Sequence, residues 1–137
     1  MIPPTIGPNF LKAAAQRLTV AQALLDLHFT LDARYLGGYA IECSLKALIM
    51  GLTPEPQRVE RYLEISRGSR MHEHDTLRGI LHREFEVKLP PELIGRLRRF
   101  SWTTDLRYET GFSPVSETRG LLKIAKAVYD WSEEKLQ

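Results

Sequence analysis

A single cysteine, Cys43, stands in 137 residues. No internal disulfide is possible, which fits a reducing cytosol and argues against a small secreted scaffold. Net charge is also scarce: 19 Lys and Arg against 17 Asp and Glu leave +2. Such a balance does not demand nucleic acid, although it permits a local basic patch. No uncharged apolar run approaches the roughly 20 residues that cross a bilayer, and the longest candidate is interrupted by Glu42 and Lys46. The opening MIPPTIGPNF has no charged segment leading into an apolar one, so no signal peptide is expected. These absences point to a cytoplasmic protein without membrane association. A Gly-rich phosphate loop and a Gly-x-Ser-x-Gly elbow are both missing, as are internal repeats, low-complexity tracts and convincing period-two alternation.

What is present is helical. A hydrophobic fraction of 43% with 26% charged residues supports one compact domain with a real core. Residues 1–8, with three prolines and a glycine, read as an extended arm before a single domain over 9–137. Asn9 is placed to cap a helix whose apolar side is Phe10, Ala14, Leu18, Ala21 and Leu25, ending near His28. Thr30 or Asp32 caps a second helix running to about Met50, with Gly51 as its stop. A short helix follows over Gln57 to Ile65, then a polar loop, SRGSRMHEHD. Asp75 caps a third long helix reaching Phe85, and Pro91 opens another through Phe100. Residues 102–114 read as a connector, and Ser116 starts the last helix. The expected architecture is an all-α, up-and-down antiparallel bundle of four to five main helices.

The second helix carries the chemistry. Tyr35, Tyr39, Glu42 and Lys46 step by four, three and four residues, so they share one stripe. A carboxylate and an ammonium inside an apolar helix are costly unless paired or used. Gly37 and Gly38 lie beside the stripe; each costs about 1 kcal/mol relative to alanine in a helix interior, which close approach of another helix would offset. The stripe suits either a structural ion pair with two core tyrosines or a polar cleft. Arg107 and Tyr108, in the connector after Trp102 and Asp105, suit a phosphate or carboxylate contact, or a salt bridge fixing the loop. His72 and His74 in MHEHD lack both a helical ligand spacing and a supporting cysteine, so no metal or other cofactor is assigned. Arginines gather at Arg58, Arg61, Arg67 and Arg70, and at Arg96, Arg98 and Arg99, either tracking an RNA backbone or forming solvated faces.

Together these pieces resemble the HEPN domain family over nearly the whole chain. ARYLGGYAIECSLKALI is similar to that family's second-helix signature, His74-Asp75-Thr76-Leu77 to its histidine–aspartate–leucine element, and Arg107-Tyr108 to its arginine–tyrosine element before the last helix. The resemblance implies a homodimeric bundle in prokaryotic toxin–antitoxin or defence systems, often beside a minimal nucleotidyltransferase. It also implies, for many members, a metal-independent ribonuclease built on an arginine followed four to six residues later by a histidine, near the start of a late helix. This chain departs there: its histidines are His28, His72, His74 and His82, so Arg107 has no histidine downstream. Arg67 has the spacing to His72 or His74 but precedes the third long helix. The reading that follows is a non-catalytic module binding a nucleotide, RNA or a partner through Tyr35, Tyr39, Glu42, Lys46, Arg107 and Tyr108. The alternatives are an atypical ribonuclease toxin using Arg67, His72 and His74, and a purely structural or dimerising bundle.

Overall fold

The computed structural model describes residues 6–100 and 102–137, with backbone alone for residues 6–8. The described residues form six α-helices and no strand: α1 (Ile6–Asp26), α2 (Thr30–Leu52), α3 (Arg58–Ile65), α4 (His74–Phe85), α5 (Pro91–Arg98) and α6 (Val115–Leu136). Short 3-10 turns lie at Glu55–Gln57, Ser69–His72 and Thr104–Tyr108. The chain is an all-α helical bundle, and none of its helices is long and apolar enough to cross a membrane among the described residues.

Helix α2 is the axis of the fold. Every residue from Ala40 to Met50 is buried, as expected of a helix enclosed on all sides. Ile41, Leu45, Leu48 and Ile49 meet Leu77 and Leu81 of α4 and Leu121, Ile124 and Val128 of α6 in one cluster. The principal packing partners of α2 are α1 and α6, with α4 against a further face.

The connection from α1 to α2 is three residues long, which makes these helices an antiparallel hairpin. Helix α6 runs alongside α2 in the same direction. Near its start, the Ser113 N–H donates to Thr30 Oγ1 at 2.9 Å and Thr118 Oγ1 donates to the Thr30 carbonyl at 3.4 Å. A Cβ on Gly37 would lie 2.5 Å from Leu122, and one on Gly51 2.1 Å from Leu136. The long excursion through residues 53–114 carries the chain back to the beginning of α2, so that α6 can repeat its direction.

Several expected boundaries move. Residues 6–8, assigned to the arm, form the first turn of α1, where Pro8 needs no N–H partner; the rest of the arm lies outside the described residues. Helix α1 stops at Asp26, not His28. There the His28 N–H donates to the Leu25 carbonyl at 3.0 Å and the Phe29 N–H to the Leu24 carbonyl at 2.8 Å, with His28 left-handed at φ 68°. That is a Schellman stop made without glycine. Glu86 is also left-handed, at φ 56°, and ends α4 with a wider turn, its N–H bonded to the His82 carbonyl at 3.2 Å and the Val87 N–H to the Leu81 carbonyl at 3.1 Å. Neither Thr30 nor Asp32 caps α2: Phe29 holds that position with no side-chain bond. Gly51 is not the stop of α2 but lies within it, and Thr53 closes the end by donating Oγ1–H to the Ile49 carbonyl at 2.7 Å. Asp75 does not cap α4. Glu73 holds that position without a side-chain bond, and Asp75 lies in the first turn, paired with Arg78.

Candidate functional site: a cleft backed by a buried ion pair

Glu42 and Lys46 face the segment between α3 and α4. Only 2% of Glu42 and 5% of Lys46 remain accessible, and Lys46 Nζ donates to Glu42 Oε2 at 3.0 Å. The Glu42–Lys46 contact expected on α2 is therefore made, and both charges are internal. The second partner of the carboxylate is His72, whose Nδ1 lies 3.2 Å from both Glu42 oxygens. A carboxylate only accepts, so Nδ1 carries the hydrogen in this contact. The His72 side chain is 41% exposed, and ring geometry turns its Nε2 away from Glu42.

His74, two residues on, is drawn inward. Its Nε2–H donates to the Gly38 carbonyl at 2.9 Å, and its ring stacks on Trp102 with centroids 4.9 Å apart and planes 8° apart. Trp102 stacks on Tyr35 from its other side at 6.0 Å and donates Nε1–H to the Tyr35 carbonyl at 3.1 Å. Gly38 makes this possible, since a Cβ there would lie 2.0 Å from the indole nitrogen. The bulk removed at Gly37 admits α6, as expected of a helix contact. At Gly38 it admits an aromatic ring from the connector instead.

Burial lowers the pKa of His74 from 6.5, against smaller opposing effects from the Gly38 carbonyl, Glu42 and Asp75. As pH falls, the unfolded chain therefore takes up this proton before the folded one. Stability is complete above about pH 6.5 and declines below it, toward the lower pKa of the folded form. A series of urea midpoints from pH 8 to pH 5 should show that decline in the parent, and a shallower one in His74→Gln.

His72, His74 and Trp102 line a cleft of about 410 Å³ together with Arg98 of α5, Ser69, Thr103 and Thr104. A second depression of about 430 Å³, between Arg70 and Arg83, shares Glu73 and Asp75 with the first. Among the described residues, Arg98 has no ion-pair partner. The other expected basic cluster is partly structural. Arg61 grips Glu84 through two bonds of 2.8 and 2.6 Å, tying α3 to α4, and Arg58 donates to the Thr53 carbonyl at 3.0 Å.

Of the residues expected at a site, the structure brings Glu42, Lys46, His72 and His74 together, with Tyr35 behind the indole. Tyr39 turns toward α1, its ring 5.9 Å from the Arg17 guanidinium. Arg67 is exposed in the turn after α3 and does not border the cleft. Arg107 and Tyr108 are exposed and stack on each other at 5.0 Å. Glu42 is bonded by Lys46 and His72, and among the described residues Arg107 forms no ion pair, so the loop-fixing salt bridge expected of it is not made. Lys46 is likewise closed off from any ligand by its own partner. Trp102, Ser69, Thr103 and Thr104 were not expected at a site, and Arg98 was expected only as part of a basic cluster that either tracks an RNA backbone or forms a solvated face. Cys43 is no nucleophile: burial, then the Glu42 charge, pushes its thiol up to about 12. No group of three or more His, Cys, Asp or Glu able to hold a metal forms among the described residues. Compared with models of known protein families, with curated proteins and with solved structures, the chain matches none.

Proposed function

We propose that this chain is a HEPN-like module that binds the phosphate of a nucleotide or of single-stranded RNA, in the cleft between His72 and Arg98. The observation that carries the reading is a cleft lined by Arg98, which has no ion-pair partner among the described residues, and by His72, whose Nδ1 is held by a buried carboxylate. Arginine is suited to phosphate oxygens because its fork of N–H groups bonds them in pairs. Hydroxyls of Ser69, Thr103 and Thr104 at the margin add neutral donors. The resemblance extends the proposal to a cytoplasmic homodimer in a prokaryotic toxin–antitoxin or defence pair, with a minimal nucleotidyltransferase as partner.

Calorimetric titration with ATP, GTP and a short single-stranded RNA tests the site. At least one should bind. Arg98→Ala should weaken that binding roughly tenfold or more, given the ~1.5–3 kcal/mol of a hydrogen bond to a charged group. Arg107→Ala should leave it unchanged. No binding by the parent, or equal affinity in Arg98→Ala, would remove the phosphate reading and leave partner binding.

A second reading, an atypical ribonuclease, is favoured by one feature. With Nδ1 bonded to Glu42, a neutral His72 presents its Nε2 lone pair outward, as a general base requires. Arg98, and not Arg67, is the arginine that lines the cleft. Recovery of intact RNA from the same titration counts against this reading.

A further inference from the structure

We infer that two copies of this chain pair end to end about a two-fold axis, through an exposed apolar patch where α1 finishes and α2 and α6 begin. The inference rests on the homodimer of the proposed function and names its surface; it does not depend on the phosphate cleft. Of the eight large apolar residues exposed among the described residues, four belong to this end of the bundle. Leu27 (65% exposed) and Phe29 (52%) lie in the α1–α2 turn, and Phe112 (81%) and Val115 (43%) at the start of α6. Hydrogen bonds hold the two segments together. The Ser113 N–H donates to Thr30 Oγ1 at 2.9 Å, and Arg34 Nη1 donates to Ser113 Oγ at 3.2 Å. Covalent geometry then keeps the α-carbons of Phe29 and Phe112 within about 10 Å of each other. Thr30, Ser113 and Thr118, which make these bonds, are buried. The patch is thus anchored before any contact, which lowers the ordering cost of association. Nor is Phe29 there to end a helix: it holds the N-cap position of α2, which favours serine or aspartate, and makes no side-chain bond.

Area and charge select a second copy as the occupant. At roughly 150–200 Å² for a large apolar side chain, the four residues leave about 400–500 Å² open. A standard interface takes about 800 Å² from each partner, about 60% of it apolar, so the patch matches the apolar share of one side. A two-fold contact lays the same surface on itself, and a rim of one dominant sign would repel its own copy. Here the signs are mixed. Arg34 and Glu117 already face each other at 3.8 Å. The other ionisable residues within five positions of the patch are acidic Asp26, Asp32 and Glu109, basic Arg107 and Arg119, and His28 in the turn itself. Acidic and basic groups nearly balance, so each copy can meet the rim of the other without net repulsion.

Sedimentation velocity of the full chain over about 1–100 µM, the weak end of interfaces this size, tests the pairing without any ligand. The parent should sediment as a dimer at the upper concentrations. Phe112→Asp should weaken the dimer roughly a hundredfold or more, since a buried aromatic anchor is lost and a two-fold contact loses it twice. Its helical circular dichroism should be unchanged, because the ring is 81% exposed in the single chain. Phe29→Asp, at the other segment of the patch, should act in the same direction. Val59→Asp, at a 53% exposed position on α3, should leave the dimer intact. A parent dimer that survives both Phe112→Asp and Phe29→Asp, or one that Val59→Asp dissociates equally, overturns this surface while leaving the homodimer. A parent that stays monomeric throughout overturns the inference and the homodimer together. Neither result bears on the phosphate site, which the RNA titration reads separately.

Discussion

Glu42→Gln is expected to lower the unfolding free energy by about 3–5 kcal/mol, the usual cost of leaving one member of a buried ion pair without its partner. Glu42 and Lys46 are both almost entirely enclosed and bonded to each other at 3.0 Å. Glutamine would keep the volume but strand the Lys46 ammonium among Ala47, Leu45 and the rest of the α2 core. It would also present an N–H₂ group to cationic or N–H neighbours on two sides. The double variant Glu42→Met with Lys46→Met removes both charges at similar volume. It should recover most of the loss, because a pair's mutual attraction seldom exceeds by much the cost of desolvating it. Urea unfolding of Glu42→Met, Lys46→Met and the double variant closes a thermodynamic cycle. A destabilisation below about 1 kcal/mol in Glu42→Gln, the scale of exposed pairs, would mean that water reaches this pair. A double variant as unstable as the singles would mean that the carboxylate is needed for what it does to His72.

Gly38→Ala carries the second large effect, and its sign opposes helix propensity. Alanine in a helix interior is ordinarily worth about 1 kcal/mol over glycine. At Gly38 the new methyl would lie 2.0–2.2 Å from three atoms of the Trp102 indole. A rigid ring cannot yield as the end of a flexible chain can, so Trp102 must leave its place between Tyr35 and His74. The bond from Nε1 to the Tyr35 carbonyl then breaks, and one side of the cleft opens. Overpacking of this kind costs about 1–3 kcal/mol; less the propensity gain of about 1 kcal/mol, a net loss of about 1 kcal/mol is expected, with tryptophan fluorescence shifted toward that of a hydrated indole. Gly95→Ala is the control. A Cβ there meets nothing within 4 Å, so the propensity gain should appear undiminished in α5. Stabilisation by both substitutions would show that Trp102 does not occupy the face of Gly38.

Much of the site's inner half was legible before the fold was known. Glu42 and Lys46 are four residues apart on a strongly apolar stretch, and a helix forces that spacing into contact. The glycines beside them signalled close approach for the same local reason. The outer half was not legible. Arg98 and His72 are separated by 26 positions in number and by two helices in the chain, and no periodicity links a turn before α4 to the end of α5. Arg107 and Tyr108 misled because their residue types and place before the last helix suggested a ligand contact, whereas both are exposed and stack on each other. His28 misled at the end of α1 because it takes a left-handed stop without glycine, whereas α4 ends at Phe85 as expected.

The sequence by itself determined the helical class, the central place of α2 and the existence of a charged pair within it. All three follow from spacings shorter than two helical turns, where backbone geometry alone decides what meets what. Only the tertiary structure decided that the pair is sealed on one side and bonded to His72 on the other. It alone decided that an indole fills the space over Gly38, and that the open arginine beside this cluster is Arg98. Those outcomes depend on how the 53–114 excursion returns to the start of α2. That path is set by the sum of many packing contacts between distant segments, not by the preferences of any one of them.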